Sequence, residues 1–138
     1  MSRKAFTLVE AIVVAVLIAI LASVGVPLLM GYLNDARLDS GRGSIELVGA
    51  AIMHAHNRGV TITATPAGWT DIGITDPSDD TWTFSFGALA PNATDAKVQA
   101  YAITGTGKKG TLKGNSGTYS PNQTQGNRWT GVFDCFDQ

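Results

Sequence analysis

The sequence predicts an α+β protein, in which the C-terminal half of one long N-terminal hydrophobic helix packs on a small antiparallel β-sheet head. Three observations lead to this fold class. Residues 11–34 form an uninterrupted run of 24 uncharged residues rich in Ala, Val, Ile and Leu. Residues 34–58 keep apolar side chains at helical spacing. Residues 59–138, here called the head, change to short alternating runs separated by turn-forming stretches, which is typical of antiparallel strands.

The uncharged run predicts a membrane-spanning helix over residues 6–33, because a bilayer core of about 30 Å needs roughly 20 helical residues. A secretory signal peptide is the competing interpretation, since Arg3 and Lys4 give the chain a basic start. The run is longer than the apolar region of such peptides, carries Glu10 at its entrance, and ends without an Ala-x-Ala cleavage pattern. We therefore expect a retained single-pass anchor with a cytoplasmic N-terminus, because Arg3 and Lys4 favour that side.

Residues 34–58 are expected to continue this helix as its amphipathic half. Asn57 and Arg58 provide a polar, basic stop, and Gly59 then predicts a left-handed cap at the helix C-terminus. The residues predicted to face the sheet recur at spacings of three and four: Leu33, Ala36, Ser40, Ser44, Leu47, Ala51 and Ala55, with Ile45, Val48 and Ile52 widening the stripe.

Three residues are expected to weaken the long helix. Pro27 lacks an amide hydrogen and clashes with the carbonyl four residues back, so a kink or local loss of helix is expected near residues 23–25. Gly41 and Gly43 each lower the helix propensity by up to about 1 kcal/mol relative to alanine.

Four runs rich in β-branched and aromatic residues predict the strands of the head, and they lie at 60–65, 81–86, 97–104 and 128–133. Alternation places Trp82, Phe84 and Phe86 on one face of the second run, and Val98, Ala100 and Ala102 on one face of the third. The Gly-, Asn- and Ser-rich stretch 105–127 is predicted to form loops. A sheet of three to four strands would bury one face against the amphipathic half of the helix.

Composition gives little support for catalysis or for nucleic-acid binding. The formal net charge is −1, too balanced for a bulk anionic partner. Lys108, Lys109 and Lys113 are expected to form a solvated hairpin tip, because their glycine-rich stretch lacks the phosphate-loop spacing. No arrangement of nucleophile and base with supporting context appears, so we expect neither an enzyme nor a bound cofactor.

No metal site is predicted either. His54 and His56 are two residues apart and point about 200° apart around a helix, so they are expected to be surface or sheet-packing residues. The acidic loop of Asp71, Asp76, Asp79 and Asp80 offers oxygen ligands of the kind that calcium takes, but it lacks the spacing of an EF-hand. The single cysteine, Cys135, has no intramolecular partner, which leaves burial, a free thiol or a bridge to another chain.

Residues 3–27, RKAFTLVEAIVVAVLIAILASVGVP, resemble the N-terminus of type IV prepilins and of the related type II secretion pseudopilins. The resemblance implies a leader of residues 1–5, which prepilin peptidase cuts between Ala5 and Phe6 before it methylates the amino group of Phe6. Glycine usually precedes this cut in the family, so Ala5 is a departure, and we expect slower processing.

The resemblance also implies roles for Glu10, Gly25 and Pro27. Glu10 is expected to pair with the ammonium group of Phe6 on a neighbouring subunit, which would fix the register of a filament. Residues around Gly25 and Pro27 are expected to lose helix when the subunit leaves the membrane. The alternatives are a glutamate that snorkels to the headgroups and a simple proline kink.

Together, these expectations describe a structural subunit of an extracellular type IV pilus-like filament, stored in the bacterial inner membrane and polymerised through its N-terminal helix. The implied partners are further copies of the chain, prepilin peptidase, the pilus assembly machinery of the inner membrane and, before assembly, lipid. The alternative is the major pseudopilin of a type II secretion system, which forms a short periplasmic filament. Adhesion, motility, DNA uptake and electron transfer all remain open as roles of the filament.

Overall fold

The computed structural model describes residues 7–94, 101–120 and 129–133 of the 138-residue chain. A single helix, α1, extends from Leu8 to Asn57. Two compact units divide the chain, Met1–Asp35 and Ala36–Gln138, which are here called the N-terminal and C-terminal units. As predicted, α1 ends with a left-handed glycine, since Gly59 has a φ of 73°.

The head contains a four-stranded antiparallel sheet, which confirms the predicted α+β class. Its strands follow one another in space in the order of the sequence: β1 (Trp82–Phe86), β2 (Ile103–Gly107), β3 (Ser116–Tyr119) and β4 (Trp129–Gly131). A short helix, α2 (Gly68–Asp71), precedes the sheet. A single 3-10 turn, Gly110–Leu112, lies in the connection between β2 and β3.

The inner face of the sheet packs on one face of α1. The prediction that Ile45, Val48, Ile52 and Ala55 face the sheet is confirmed, whereas Gly41 was not predicted there. The residues of α1 that are buried are Gly41, Ile45, Val48, Ile52 and Ala55. Leu33, Ala36, Ser40 and Leu47 are exposed instead, so that part of the stripe was wrong. Ser40 and Leu47 each lie one residue, or about 100° around the helix, from a buried residue, and apolar or small residues occupy both positions. The shape of the sheet residues that lie opposite α1 determines which of these positions is buried.

Trp82 is at the centre of this core, as its alternation with Phe84 and Phe86 predicted. All three side chains are buried, and Trp82 is 0% exposed. The indole N–H of Trp82 donates to the backbone carbonyl of Arg37 at 2.8 Å. The centroid of its ring lies 5.0 Å from the ring centroid of Phe133, a residue that is also completely buried. This hydrogen bond and this stacking fix the position of the indole against α1.

Two of the predicted strands were misplaced. The stretch 60–65 forms no extended strand, but a single antiparallel bridge between Ile62 and Leu89. In the stretch 97–104, only Ile103 and Thr104 belong to β2, and Ala102 is exposed although we expected it on a common face. Its expected companions, Val98 and Ala100, lie outside the described residues. β3 is a further strand, in a stretch that we predicted to form loops.

The outer face of the sheet carries hydroxyl side chains across all four strands. The register pairs Ser85 with Thr104, Thr104 with Thr118, and Thr118 with Thr130. β-branched and hydroxyl residues are stable on the exposed face of a sheet, where cross-strand neighbours contact each other. The sheet therefore presents an uncharged polar surface on the side opposite α1.

One carboxylate holds the segment that leads into α2. The hydroxyl and the backbone N–H of Thr63 both donate to Oδ2 of Asp71, at 2.6 and 2.9 Å. The side-chain hydrogen bond and then the backbone hydrogen bond lower the pKa of Asp71, because both favour the ionised carboxylate. A lowered pKa in the folded state means that this contribution to stability is present above the unfolded pKa of about 3.9. It is lost as the pH falls through the folded pKa.

We therefore expect Asp71→Asn to lower the melting temperature modestly at neutral pH, since an amide oxygen accepts these bonds less strongly than a carboxylate. The difference from wild type should shrink from about pH 5 downward, as the wild-type carboxylate becomes protonated. The measurement is thermal unfolding of the full chain in detergent as a function of pH, with Asp39→Asn as the control. A difference between Asp71→Asn and wild type that stays constant down to the lowest pH would contradict this role.

Candidate assembly segment at the N-terminus

The beginning of α1 is capped by Thr7. The backbone N–H of Glu10 donates to Oγ1 of Thr7 at 3.3 Å, and that of Ala11 donates to the carbonyl of Thr7 at 3.2 Å. Sequence reasoning missed this cap, although the spacing Thr7-x-x-Glu10 is the signature of a capping box. Thr7 thus helps to fix where the helix starts and where the carboxylate of Glu10 lies relative to it.

Glu10 lies in the first turn of α1, where a negative charge interacts favourably with the helix dipole. Its side chain is exposed. Within the described part of the chain, no cationic group forms an ion pair with this carboxylate. The carboxylate therefore has no ionic partner among residues 7–94, 101–120 and 129–133.

The apolar surface of the N-terminal unit is uncovered in the single chain. Between Leu8 and Leu33 the large hydrophobic side chains are 46–76% exposed. α1 is long and apolar enough to cross a membrane, and its most apolar stretch has a mean hydropathy of 2.9. So much exposed apolar surface requires lipid or another protein surface as cover. The length and apolar character of this segment are those expected of the anchor of a membrane-anchored precursor.

A weak point of α1 lies around Gly25 and Pro27, both of which are helical in this structure. Pro27 offers no N–H to the carbonyl of Ser23. The hydroxyl of Ser23 donates to the carbonyl of Ile20 at 2.7 Å, a bond that slightly destabilises helices. A Cβ at Gly25 would meet no atom within 4 Å, so intrachain packing does not require this glycine. Loss of helix here during assembly stays a prediction.

Three of the predicted site residues lie outside the described residues. These are Ala5 and Phe6, at the expected cleavage and methylation site, and Cys135, near the C-terminus. Their roles remain the expectations that the sequence and the resemblance support.

Four charged residues around the turn before β1 have local structural partners, namely Asp79, Asp80, Lys108 and Lys109. Asp79 accepts hydrogen bonds from the backbone N–H groups of Thr81 and Trp82, at 2.6 and 2.7 Å. Lys109 forms an ion pair of 2.9 Å with Asp80, which lowers the pKa of that carboxyl group. Lys108 donates to the carbonyl of Asp79 at 2.7 Å. The two lysines therefore tie the β2–β3 connection to the turn before β1.

No metal site emerges among residues 7–94, 101–120 and 129–133, where no three His, Cys, Asp or Glu side chains are grouped closely enough to hold an ion. His54 is exposed and His56 is half-buried. Tyr101 donates its hydroxyl hydrogen to the carbonyl of Gly87, and burial raises its pKa to about 12. Packing and local hydrogen bonding explain Tyr101, whereas the buried Nδ1 of His56 has no hydrogen-bond partner among the described residues.

Comparison with known proteins assigns a family feature to the N-terminus. Residues 1–26 match the family model described as the prokaryotic N-terminal methylation motif. No curated protein and no solved structure matches the chain. The match covers the capped helix start, Glu10 and the exposed apolar stretch up to Gly25, which are the features described above. The N-terminal segment thus carries a methylation motif that supports a type IV pilin-like or pseudopilin precursor.

Proposed function

We propose that this chain is a structural subunit of an extracellular type IV pilus-like filament. One observation carries the proposal: the methylation motif coincides with a helix whose apolar side chains, from Leu8 to Leu33, are exposed in the single subunit. A helix of this kind is stable in lipid, and it is stable in water only when other subunits cover it. The motif points to a structural subunit and not to an enzyme.

The proposed life cycle assigns a task to each part of the chain. Residues 1–5 are a leader that prepilin peptidase removes between Ala5 and Phe6, and Phe6 is then N-methylated. Residues 6–33 first span the inner membrane, with the N-terminus cytoplasmic, and later form the filament core. Residues 34–58 support the head, which forms the filament surface. The assembly machinery of the inner membrane moves subunits from the first environment to the second.

Glu10 sets the stagger between neighbouring subunits in this proposal. Its carboxylate pairs with the methylated ammonium group of Phe6 on the adjacent copy. Opposite charges attract more strongly in a dry core than in water, because the local dielectric constant is low. Since neither charge is stable there alone, the pair favours one register over the others.

A short periplasmic filament of a type II secretion system is the alternative, because the same N-terminal motif serves pseudopilins. Electron microscopy of material sheared from producing cells, combined with mass spectrometry, separates the two. Long filaments built from a chain that begins at methylated Phe6 are expected for a pilus. A mature chain found only in membranes or in short periplasmic assemblies would favour the pseudopilin. A chain that is never cleaved after Ala5 would overturn both.

Assembly is also expected to unwind α1 between Ile20 and Leu29. Ser23, Gly25 and Pro27 make this the weakest part of the helix, and extended chain would let neighbouring helices pack with fewer clashes. The measurement is a reconstruction of the filament at a resolution that traces the backbone. A continuous helix from Ile20 to Leu29 in the filament would contradict the expectation.

A further inference from the structure

A groove beside α1 in the C-terminal unit is left open by the residues that the structure describes. Its lining residues come from the helix and from β3: Glu46, Gly49, Ala50, Met53 and Tyr119. Glu46, Ala50 and Met53 are spaced by four and three residues and therefore lie along one side of the helix. The groove encloses about 220 Å³, space for a few side-chain carbons, and its walls are mainly apolar.

The groove coincides with apolar surface that the fold leaves exposed. Among the described residues that follow Leu33, the two exposed large hydrophobic side chains are Leu47 and Met53, at 55% and 38%. Both lie on α1, and Met53 lines the groove. The other large apolar side chains described in this unit are buried or partly buried, so the exposed side chain of Met53 is a local exception.

Gly49 at the floor of the groove is not required by the packing of the subunit. A Cβ at this position would lie 3.6 Å from Cδ1 of Ile103 and 3.8 Å from Cε1 of Tyr119, which is ordinary van der Waals contact. Glycine inside a helix is less favourable than alanine, because it loses more backbone entropy on folding. Alanine would therefore fit and stabilise the subunit, and what glycine adds is an open groove.

We propose that the groove is the docking site for the apolar helix, residues 8–33, of a second copy of this chain; this proposal rests on the filament function proposed above. The charges agree with such an occupant. Glu46 is the one charged lining residue, and it is neutralised by Arg42 through an Nε–Oε1 ion pair of 2.9 Å. The uncharged run of residues 11–34 is therefore a matching partner, and its side chains need cover outside lipid.

The geometry of such a contact also agrees with an open polymer. The groove lies in the C-terminal unit and its occupant in the N-terminal unit, so two different patches of one chain meet. A contact between unlike patches is heterologous, and it forms a ring or an open helical filament instead of closing as a two-fold dimer. Each added subunit then offers a new groove and a new apolar helix.

Photocrosslinking in sheared filaments tests the contact directly. Met53 is replaced by p-benzoylphenylalanine in the full chain, and the crosslinked peptides are mapped by mass spectrometry. We expect crosslinks to residues 8–33 of a second copy. The same probe at Ser85, on the outer face of the sheet, should give no such crosslinks. Crosslinks from position 53 only to the head of another copy, only to a different protein, or to nothing would overturn the proposal.

A pair of substitutions at Gly49 provides the second test. Gly49→Leu fills the groove and should lower the yield of filaments at least tenfold, while Gly49→Ala should retain most of it. Tryptophan fluorescence of the chain in detergent establishes that both variants fold. Normal filaments from a folded Gly49→Leu variant would overturn the docking site alone. A wild-type chain that forms no filament would instead refute the proposed function.

Discussion

Glu10→Ala is expected to abolish filaments while leaving the chain expressed, membrane-inserted and cleaved after Ala5. The carboxylate lies in the first turn of α1, exposed, and with no cationic partner in the described part of the subunit. In the proposed filament it neutralises the methylated ammonium group of a neighbouring Phe6. Removing it leaves that ammonium group buried without a counter-charge, which typically costs about 3–5 kcal/mol.

A penalty of this size acts at every subunit contact along the filament. Because each 1.4 kcal/mol corresponds to about a tenfold change in affinity, the concentration of subunit needed for polymerisation should rise at least about 100-fold. Filaments sheared from cells should then fall below detection by electron microscopy and immunoblotting. Glu10→Gln should behave like Glu10→Ala, because an amide lacks the charge although it keeps most of the shape.

The control for this experiment is Asp39→Asn, which removes an exposed carboxylate from the same helix but from the C-terminal unit. It should leave the yield of filaments within about twofold, in keeping with the small contribution of exposed charges. Mass spectrometry of the membrane fraction should show the mature N-terminus in all three variants. Normal filaments from Glu10→Ala would refute the register role of this residue, and loss of cleavage would show that Glu10 acts earlier, on processing.

The elements that could be predicted from sequence are those whose residue pattern is compatible with only one kind of secondary structure. A run of 24 uncharged residues forms a helix that needs lipid or protein cover, whatever follows it. Trp82, Phe84 and Phe86 alternate with other residues, and only a β-strand places all three aromatic rings on one buried face. The N-terminal motif was equally readable, because it depends on the order and spacing of residues and not on tertiary contacts.

The elements that were missed depend on contacts between distant parts of the chain. β3 contains Gly117, which weakens a strand pattern, but the ring of Phe133 lies where a Cβ of residue 117 would be. The predicted buried face of α1 wrongly included exposed residues such as Leu47, because Leu47 and Val48 are equally apolar and only the sheet opposite decides which of them is covered. The groove at Gly49 involves β3, so no local pattern could indicate it.

Gly41 makes a close contact with a distant part of the chain that its sequence surroundings do not indicate, and its substitution is expected to have a large effect on stability. Sequence reasoning treated Gly41 and Gly43 alike, as residues that weaken the helix. In the structure a Cβ at Gly41 would lie 2.7 Å from Cε2 and 2.9 Å from Nε1 of Trp82, whereas a Cβ at Gly43 would meet no atom within 4 Å. The indole of Trp82 cannot shift easily, because the hydrogen bond from its N–H to the carbonyl of Arg37 and its packing on Phe133 hold it in place.

We therefore expect Gly41→Ala and Gly43→Ala to change the stability of the head in opposite directions. Both substitutions gain up to about 1 kcal/mol of helix propensity. Only Gly41→Ala also forces the core apart, and overpacking of this kind costs about 1–3 kcal/mol. Since the propensity gain cancels between the two variants, the difference between their free energies of unfolding should measure the clash with Trp82 alone, about 1–3 kcal/mol.

Denaturant unfolding of the full chain in detergent, followed by tryptophan fluorescence, measures this difference. All three tryptophans, at positions 69, 82 and 129, belong to the head, so the signal reports the sheet–helix core and not the apolar helix. The triple comparison of wild type, Gly41→Ala and Gly43→Ala separates packing from helix propensity without any change in charge. Equal stability of the two variants would mean that Trp82 moves aside at little cost. The close contact between this indole and Gly41 would then not determine which face of α1 packs on the sheet.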